Sequence, residues 1–134
     1  MLKLNALVAG STGYIGSQLI KILVKHKYIN IKYLCGKSSV GKKISFFEKS
    51  LSNKKLPKII KFNKKLLKDV DIIFTALPNG EAQDISKHLN KNNTLIDLAA
   101  DFRLKKKKQI TKSGTNKNIE LSNLLKKVFI HFLK

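Results

Sequence analysis

The chain has 134 residues, 43% of them hydrophobic, which is enough to bury a core within one domain. It carries 28 lysine and arginine residues against eight acidic ones, for a formal net charge of +20. A single cysteine excludes an internal disulfide. Because no signal-peptide pattern and no apolar run of membrane-spanning length is present, we expect a cytoplasmic protein with no membrane partner.

The positive charge raises the question of a nucleic-acid partner, because a basic surface attracts phosphate whatever the sequence. Arg103 is the only arginine in the chain, whereas proteins that read bases rely on arginine for bidentate contacts. Lysine, isoleucine and asparagine all have A/T-rich codons, so genome composition accounts for the bias. We therefore expect no specific nucleic-acid partner and only weak, salt-sensitive binding of polyanions.

Residues 4–25, LNALVAGSTGYIGSQLIKILVK, predict a strand, a glycine turn and a helix in direct succession. Gly10 would supply the positive φ that the sharp turn needs. Gly13 would let a pyrophosphate approach the backbone, and Gly16 would let the helix pack closely on the strand. Since the first amides of a helix lack intrahelical partners and carry the positive end of its dipole, this pattern predicts a dinucleotide site.

Strand and helix patterns also alternate along the rest of the sequence. The first helix has apolar residues at three-to-four spacing, which predicts a buried face made of Ile15, Leu19, Ile22 and Leu23. Further strands are predicted at residues 28–35, 70–77 and 94–98, a helix at 81–89, and a short strand around Ile59, Ile60 and Phe62. This order predicts an α/β fold, a Rossmann-type doubly wound parallel sheet with right-handed crossovers.

The segment after the second strand bears on the choice of cofactor. A carboxylate here would hold the ribose hydroxyls of NAD, whereas basic or small polar residues accommodate the extra phosphate of NADP. The segment reads GKSSVGK and contains no acid, which favours NADP. A surface loop that is basic because the whole chain is basic explains the segment nearly as well.

Four motifs occur in one order at compatible spacings: GSTGYIG, KSSVGKK, ALPNG and DLAADFRL. Over residues 4–104 they resemble the N-terminal half of N-acetyl-gamma-glutamyl-phosphate reductase, an NADPH-dependent enzyme of arginine biosynthesis. An aspartate-semialdehyde dehydrogenase-like fragment is the nearest alternative. The ADFRL sequence at residues 100–104 is more similar to the arginine-pathway family.

The resemblance implies a role for each motif. The glycine turn would lie along the NADP pyrophosphate through Gly10, Ser11, Thr12, Gly13, Tyr14, Ile15 and Gly16. Lys37 or Ser38 would lie near the 2′-phosphate, and the loop beside the nicotinamide would comprise Pro78, Asn79 and Gly80. Asp101 and Arg103 would stand at the edge of the cleft, where the arginine could pair with an anionic acyl-phosphate substrate. A local salt bridge that closes a turn explains that last pair equally well.

The family's chemistry uses a cysteine thiolate and an assisting histidine. Relatives carry the cysteine in a downstream Gly-Cys-Tyr segment that this sequence lacks. Cys35 ends a predicted buried strand, so we expect a raised pKa and an inert thiol. His26, His88 and His131 match no family position, and we expect surface or packing roles for them. We therefore assign no catalytic residue and no metal ligand.

The domain organisation that follows is a NADP-binding domain at residues 1–104 and a divergent basic tail at 105–134. The tail has an amphipathic pattern with Leu121, Leu124, Leu125, Val128, Phe129 and Phe132 on one face. It would cover sheet surface left by a missing substrate domain, or it is out-of-frame sequence after about Lys108. On the second reading the chain is a truncated reductase, inactive alone. The alternative is a non-catalytic NADP-binding or partner-binding remnant, completed by a separately encoded substrate domain. For partners, we keep both a homo-oligomer and a missing substrate domain as expectations.

Overall fold

The structure is a computed structural model that describes residues 2–99. Its elements are β1 (Leu4–Ala9), α1 (Tyr14–Leu23), β2 (Ile29–Cys35), β3 (Ile59–Ile60), β4 (Ile72–Thr75), α2 (Glu81–Ser86) and β5 (Thr94–Asp97). Three 3₁₀ helices lie between β2 and β4, at Ile44–Phe46, Lys49–Leu51 and Lys64–Asp69. The predictions for Asp101, Arg103, His131 and the tail lie outside the described residues.

The five strands form one parallel sheet in the order β3-β2-β1-β4-β5. The chain runs outward from β1 to β3, then crosses back and continues from β4 on the other side of β1. This confirms the predicted Rossmann-type parallel sheet. Because the strand order reverses between β1 and β4, a crevice opens at their carboxyl ends, where α/β proteins bind ligands.

The sheet is buried on both faces, as the apolar runs in its strands predict. In β1, Ala6 and Val8 belong to one cluster of buried side chains, which includes Ile20 of α1. The alternate residues of β1 belong to a second cluster, which includes Ile85 of α2. The two helices therefore cover opposite faces, which makes the sheet doubly wound.

The buried face of α1 differs from the predicted one. Ile15 and Ile22, predicted to face inward, are 51% and 64% exposed. Leu23 is buried as predicted, and Leu19 is partly buried against the core. The buried face is completed by Gly16 and Ile20, which with Leu23 are spaced at i, i+4 and i+7. The rotation of the helix about its axis is set by Gly16, because this residue packs against the carbonyl of the turn's first glycine. The prediction for Ile15 and Ile22 was therefore wrong.

The later elements are shorter than predicted. The strand expected at residues 70–77 covers Ile72–Thr75, and the helix expected at 81–89 ends at Ser86. Beyond α2, the side chain of Asn93 accepts from the backbone amide of Asn90 and donates to two backbone carbonyls, at 2.8 and 3.0 Å. This side chain ties the segment after α2 to the one before β4. The α-helical pattern ends because the amides of His88 and Leu89 donate to carbonyls three residues back, at Ile85 and Ser86. Neither helix within residues 2–99 has the length and apolarity needed to cross a membrane.

Candidate functional site

The turn between β1 and α1 contains two glycines that the protein's own packing requires. Gly10 has φ = 81°, which confirms the predicted positive φ. A Cβ atom at Gly10 would collide with the backbone carbonyl of Ala76, and one at Gly16 would collide with the carbonyl of Gly10. Any side chain at either position would therefore push the turn away from β4 or from the helix.

Gly13 is different, because none of the residues that the structure describes fills the space beside it. Its backbone is extended, and an added Cβ would meet only the carbonyl oxygen of Gly10, at an ordinary contact distance of 3.6 Å. Gly13 is also the N-cap of α1, where no side chain caps the helix and no acid lies in the first turn. The open space, the first-turn amides and the helix dipole together fit a phosphate group.

The turn is held from behind by β2. The carbonyl of Cys35 accepts hydrogen bonds from the amides of Gly10 and Ser11, at 3.1 and 3.2 Å, and from the Ser11 hydroxyl at 3.0 Å. Ser11 is completely buried, so its side chain fixes the turn from within the protein. Tyr14, by contrast, is 82% exposed at the start of α1.

The loop after β2 is anchored at both ends to the edge strand β3. At one end, the amide of Gly36 donates to the carbonyl of Ile60 at 3.1 Å. At the other end, Gly41 donates to Ile59 at 2.7 Å, and Ile59 donates to the carbonyl of Lys42 at 2.9 Å. The loop therefore presents Lys37 and Ser38, both exposed, from a fixed frame.

A cavity of about 660 Å³ lies at the carboxyl ends of the strands, between the glycine turn, the β2 loop and the start of α2. This volume is within the range of roughly 300–1,000 Å³ found for small-molecule sites. Of the predicted site residues, those that line it are Gly10, Thr12, Gly13, Lys37, Ser38 and Pro78. Those that do not are Ser11, Tyr14, Ile15, Gly16, Asn79 and Gly80.

Several cavity residues were not predicted. One wall is formed by Glu81, Asp84, Ile85 and His88. Their spacing of i, i+3, i+4 and i+7 is a helical stripe that the sequence displays, so this wall could have been found. Lys61 and Phe62 also line the cavity. They follow the two-residue strand β3 in a segment without clear periodicity, which gave no signal.

The ionisable groups at the cavity have distinct environments. Lys37 Nζ lies 2.7 Å from Glu81 Oε1, across the cavity. Burial raises the pKa of the Cys35 thiol to about 12, and the residue is only 2% exposed. The prediction of a buried cysteine with a raised pKa is confirmed. His26 and His88 are both exposed, and His88 lines the cavity.

No cluster of three or more histidine, cysteine or acidic side chains suited to a metal ion is found within residues 2–99.

A parallel sheet with a reversed strand order, a glycine turn open at the N-terminus of a helix and a cleft beside both define a Rossmann-type dinucleotide-binding domain. Residues 5–128 match the family described as semialdehyde dehydrogenase, NAD binding domain. The match covers most of the sequence, and the chain belongs to this family.

Several relatives are named N-acetyl-gamma-glutamyl-phosphate reductase. The protein from Brachyspira hyodysenteriae is 43% identical over 98 residues, which is 72% of this chain and 28% of the relative. The one from Ehrlichia ruminantium is 37% identical over 105 residues, 77% of this chain and 30% of the relative. The chain thus spans less than a third of the length of these relatives.

Solved structures agree with the fold. Aspartate semialdehyde dehydrogenase with NADP from Candida albicans superimposes with a TM-score of 0.60 at 26% identity, covering 78% of this chain and 32% of that one. Myo-inositol 2-dehydrogenase from Lactobacillus plantarum superimposes with a TM-score of 0.61 at 15% identity, over 92% of this chain and 33% of that one. At this identity the likeness shows a shared fold and nothing more.

Proposed function

We propose that this chain is the NADP-binding domain of an N-acetyl-gamma-glutamyl-phosphate reductase. The observation that carries the proposal is the open space at Gly13, in front of the uncapped N-terminus of α1. The pyrophosphate would bind there. The names of the relatives supply the reaction class, reduction of N-acetyl-gamma-glutamyl phosphate. The family resemblance adds NADPH as the reductant, the semialdehyde and phosphate as products, and arginine biosynthesis as the pathway.

The preference for NADP rests on the β2 loop. Lys37 and Ser38 line the cavity on a loop without a carboxylate, so a cation and a hydroxyl are available for a 2′-phosphate. Pro78 lines the opposite side and would lie near the nicotinamide. When bound, NADPH would supply the hydride, while these residues bind and orient it.

The roles of the other predicted residues remain proposals. Ser11 would position the turn, because both its amide and its hydroxyl donate to the carbonyl of Cys35. Tyr14, Ile15 and Gly16 would contribute the amides of the first turn of α1. Asn79 and Gly80 would shape the loop before α2. Pairing of Asp101 and Arg103 with an anionic substrate rests on the family resemblance.

The proposal includes the expectation that this chain alone does not catalyse the reaction. Cys35 is the only cysteine in the sequence, and its buried thiol stays protonated at neutral pH. A nucleophile would therefore come from elsewhere, either from a substrate domain or from a separate chain. Homo-oligomerisation and a cytoplasmic location stay predictions of the same proposal.

Two alternative functions retain the cofactor site but place it in a different kind of protein. An aspartate-semialdehyde dehydrogenase-like fragment is favoured by the likeness to the Candida albicans structure, whereas the names of the sequence relatives favour the reductase. A non-catalytic NADP-binding or partner-binding protein is favoured by the inert Cys35. Co-purification with a cysteine-bearing protein would support a partner that completes the site.

The test is calorimetric titration of the purified 134-residue chain with NADP and with NAD, followed by an assay of NADPH-dependent reduction of N-acetyl-glutamyl phosphate. We expect NADP to bind more tightly than NAD and the assay to show no turnover. Failure to bind either dinucleotide would contradict the proposal. Turnover by the purified chain would contradict the expectation that it is inactive alone.

A further inference from the structure

One ion pair joins the two sides of the cleft. Lys37 Nζ and Glu81 Oε1 are 2.7 Å apart, although the residues are separated by 44 positions in sequence. Lys37 follows β2, on one side of the point where the strand order reverses, and Glu81 begins α2 on the other side. Both residues line the same cavity. The cation available for a 2′-phosphate is therefore already paired with a carboxylate.

The two side chains of this ion pair differ in how far they are free to move. The side chain of Lys37 is 79% exposed, whereas that of Glu81 is 29% exposed. Glu81 lies at the first position of α2, and its amide donates to the carbonyl of Pro78 at 3.2 Å. The preceding Gly80 has φ = 90°, a left-handed conformation that starts the helix. When the pair separates, we expect Lys37 to move while the carboxylate of Glu81 stays at the cleft.

If the NADP site is where we propose, the pair of Lys37 and Glu81 should affect the binding of NADP and of NAD differently. A 2′-phosphate that pairs with Lys37 must displace the Glu81 carboxylate and then bind next to it, so the two negative groups repel each other. An unphosphorylated ribose carries hydroxyl donors, which a carboxylate accepts in NAD-binding domains. We propose that Glu81 is a specificity-determining residue, which reduces the preference for NADP over NAD that Lys37 provides.

The expected size of the effect is modest. Both groups contact solvent, and charge interactions at such sites change affinity by factors of several rather than by orders of magnitude. Removal of the Glu81 charge should therefore raise the preference for a 2′-phosphate by about 3- to 10-fold. The gain should shrink as salt is added, because exposed charges are screened.

The experiment compares adenosine 2′,5′-bisphosphate with AMP, two probes that differ only in the 2′-phosphate. Their dissociation constants are measured by calorimetry for the wild-type chain, Glu81→Gln, Lys37→Gln and Glu48→Gln. The matched control is Glu48→Gln, because it changes the net charge equally and breaks a similar pair with Lys21, at 3.0 Å, away from the cavity. Circular dichroism checks that each variant is folded.

We expect Glu81→Gln to raise the ratio of the AMP to the bisphosphate dissociation constant by about 3- to 10-fold over wild type. Lys37→Gln should lower that ratio towards one, and Glu48→Gln should leave it unchanged. An unchanged ratio in Glu81→Gln, or the same rise in Glu48→Gln, would overturn the inference while leaving the NADP site intact. If the wild-type chain bound neither probe nor NADP, the proposed function would fail, and the inference with it.

Discussion

At the scale of single residues, the three glycines of the first turn are glycine for different reasons. Gly10 and Gly16 leave no room for a Cβ, because backbone carbonyls occupy the space. Gly13 has room for one. The described packing therefore does not require glycine at this position, and under the proposed function the missing side chain makes room for the pyrophosphate. The equal spacing of the three in sequence does not distinguish these roles, and only the packing does.

This difference makes a prediction that separates binding from folding. Gly13→Ala and Gly13→Asp should keep the native fold, because the position is exposed and open. Gly13→Asp should abolish measurable NADP binding, because a carboxylate would face the pyrophosphate. Gly16→Ala should instead lower the free energy of unfolding by about 3 kcal/mol. Urea denaturation and calorimetry measure the two quantities. A Gly13→Ala variant as unstable as Gly16→Ala would contradict this account.

Cys35 makes a prediction about pH. Burial raises its pKa from 9.0 to about 12, so between these values the unfolded chain releases a proton that the folded chain keeps. The contribution of the neutral thiol to stability is complete below pH 9 and is lost as the pH rises towards 12. The slope is at most about 1.4 kcal/mol per pH unit.

Comparison with Cys35→Ala isolates this contribution from the titration of the lysines. Between pH 8 and pH 10, the wild-type chain should lose about 1 kcal/mol more stability than the variant, as measured by urea denaturation. The thiol should also resist alkylation at pH 8 until the chain is unfolded. Equal pH dependence in the two proteins would show that the thiol ionises in the folded state.

At the scale of elements, helix α1 shows what periodicity can and cannot predict. The pattern of apolar residues identifies the helix, but two overlapping stripes compete for the inward face. The contact of Gly16 with the turn selects the stripe that contains Ile20 and leaves Ile22 in solvent. This contact is tertiary, so the sequence pattern alone does not contain it.

The rotation of α1 can be tested with two substitutions of the same chemistry. Ile20→Ala should lower the free energy of unfolding by about 2–5 kcal/mol, because the side chain is completely buried. Ile22→Ala should change it by less than about 0.5 kcal/mol, because this side chain is 64% exposed. Urea denaturation under identical conditions gives both values. A larger loss for Ile22→Ala would restore the face predicted from sequence.

The central strands were predictable, and the segment at residues 44–68 was not. The strands of the sheet centre are continuous apolar runs, which are typical of a parallel sheet buried on both faces. One 3₁₀ helix of the other segment, Lys49–Leu51, is held in part by a contact from outside it. Its N-cap Glu48 pairs with Lys21 of α1 and accepts from the hydroxyl and the amide of Ser50, and these contacts hold the pKa of the Glu48 carboxyl below its usual value. Such pairings across the fold leave no local signal.

At the scale of the whole molecule, the net charge of +20 is the dominant electrostatic fact. Like charges repel more strongly in the compact state than in the unfolded chain, so salt should stabilise this protein. We expect the thermal midpoint to rise as sodium chloride is raised from low to physiological concentration. A midpoint that falls over this range would show that specific ion pairs outweigh the general repulsion.

Because of this positive charge, a binding measurement must distinguish nonspecific association of anions from binding at the proposed site. Any anionic nucleotide will associate weakly with a lysine-rich surface, whether or not a cofactor site exists. Evidence for the proposed domain therefore has to show where the dinucleotide binds as well as how tightly. Under the proposed function, that place is the crevice at the carboxyl ends of β1 and β4, where the strand order reverses.

The most direct measurement is a map of backbone amide chemical shifts in the ¹⁵N-labelled chain, recorded during titration with NADP at physiological salt. We expect the changes to cluster at residues 10–16, 36–38 and 76–81 and to disappear in Gly13→Asp. Changes spread over the lysine-rich surface, or retained in Gly13→Asp, would contradict the assignment of this chain as an NADP-binding domain.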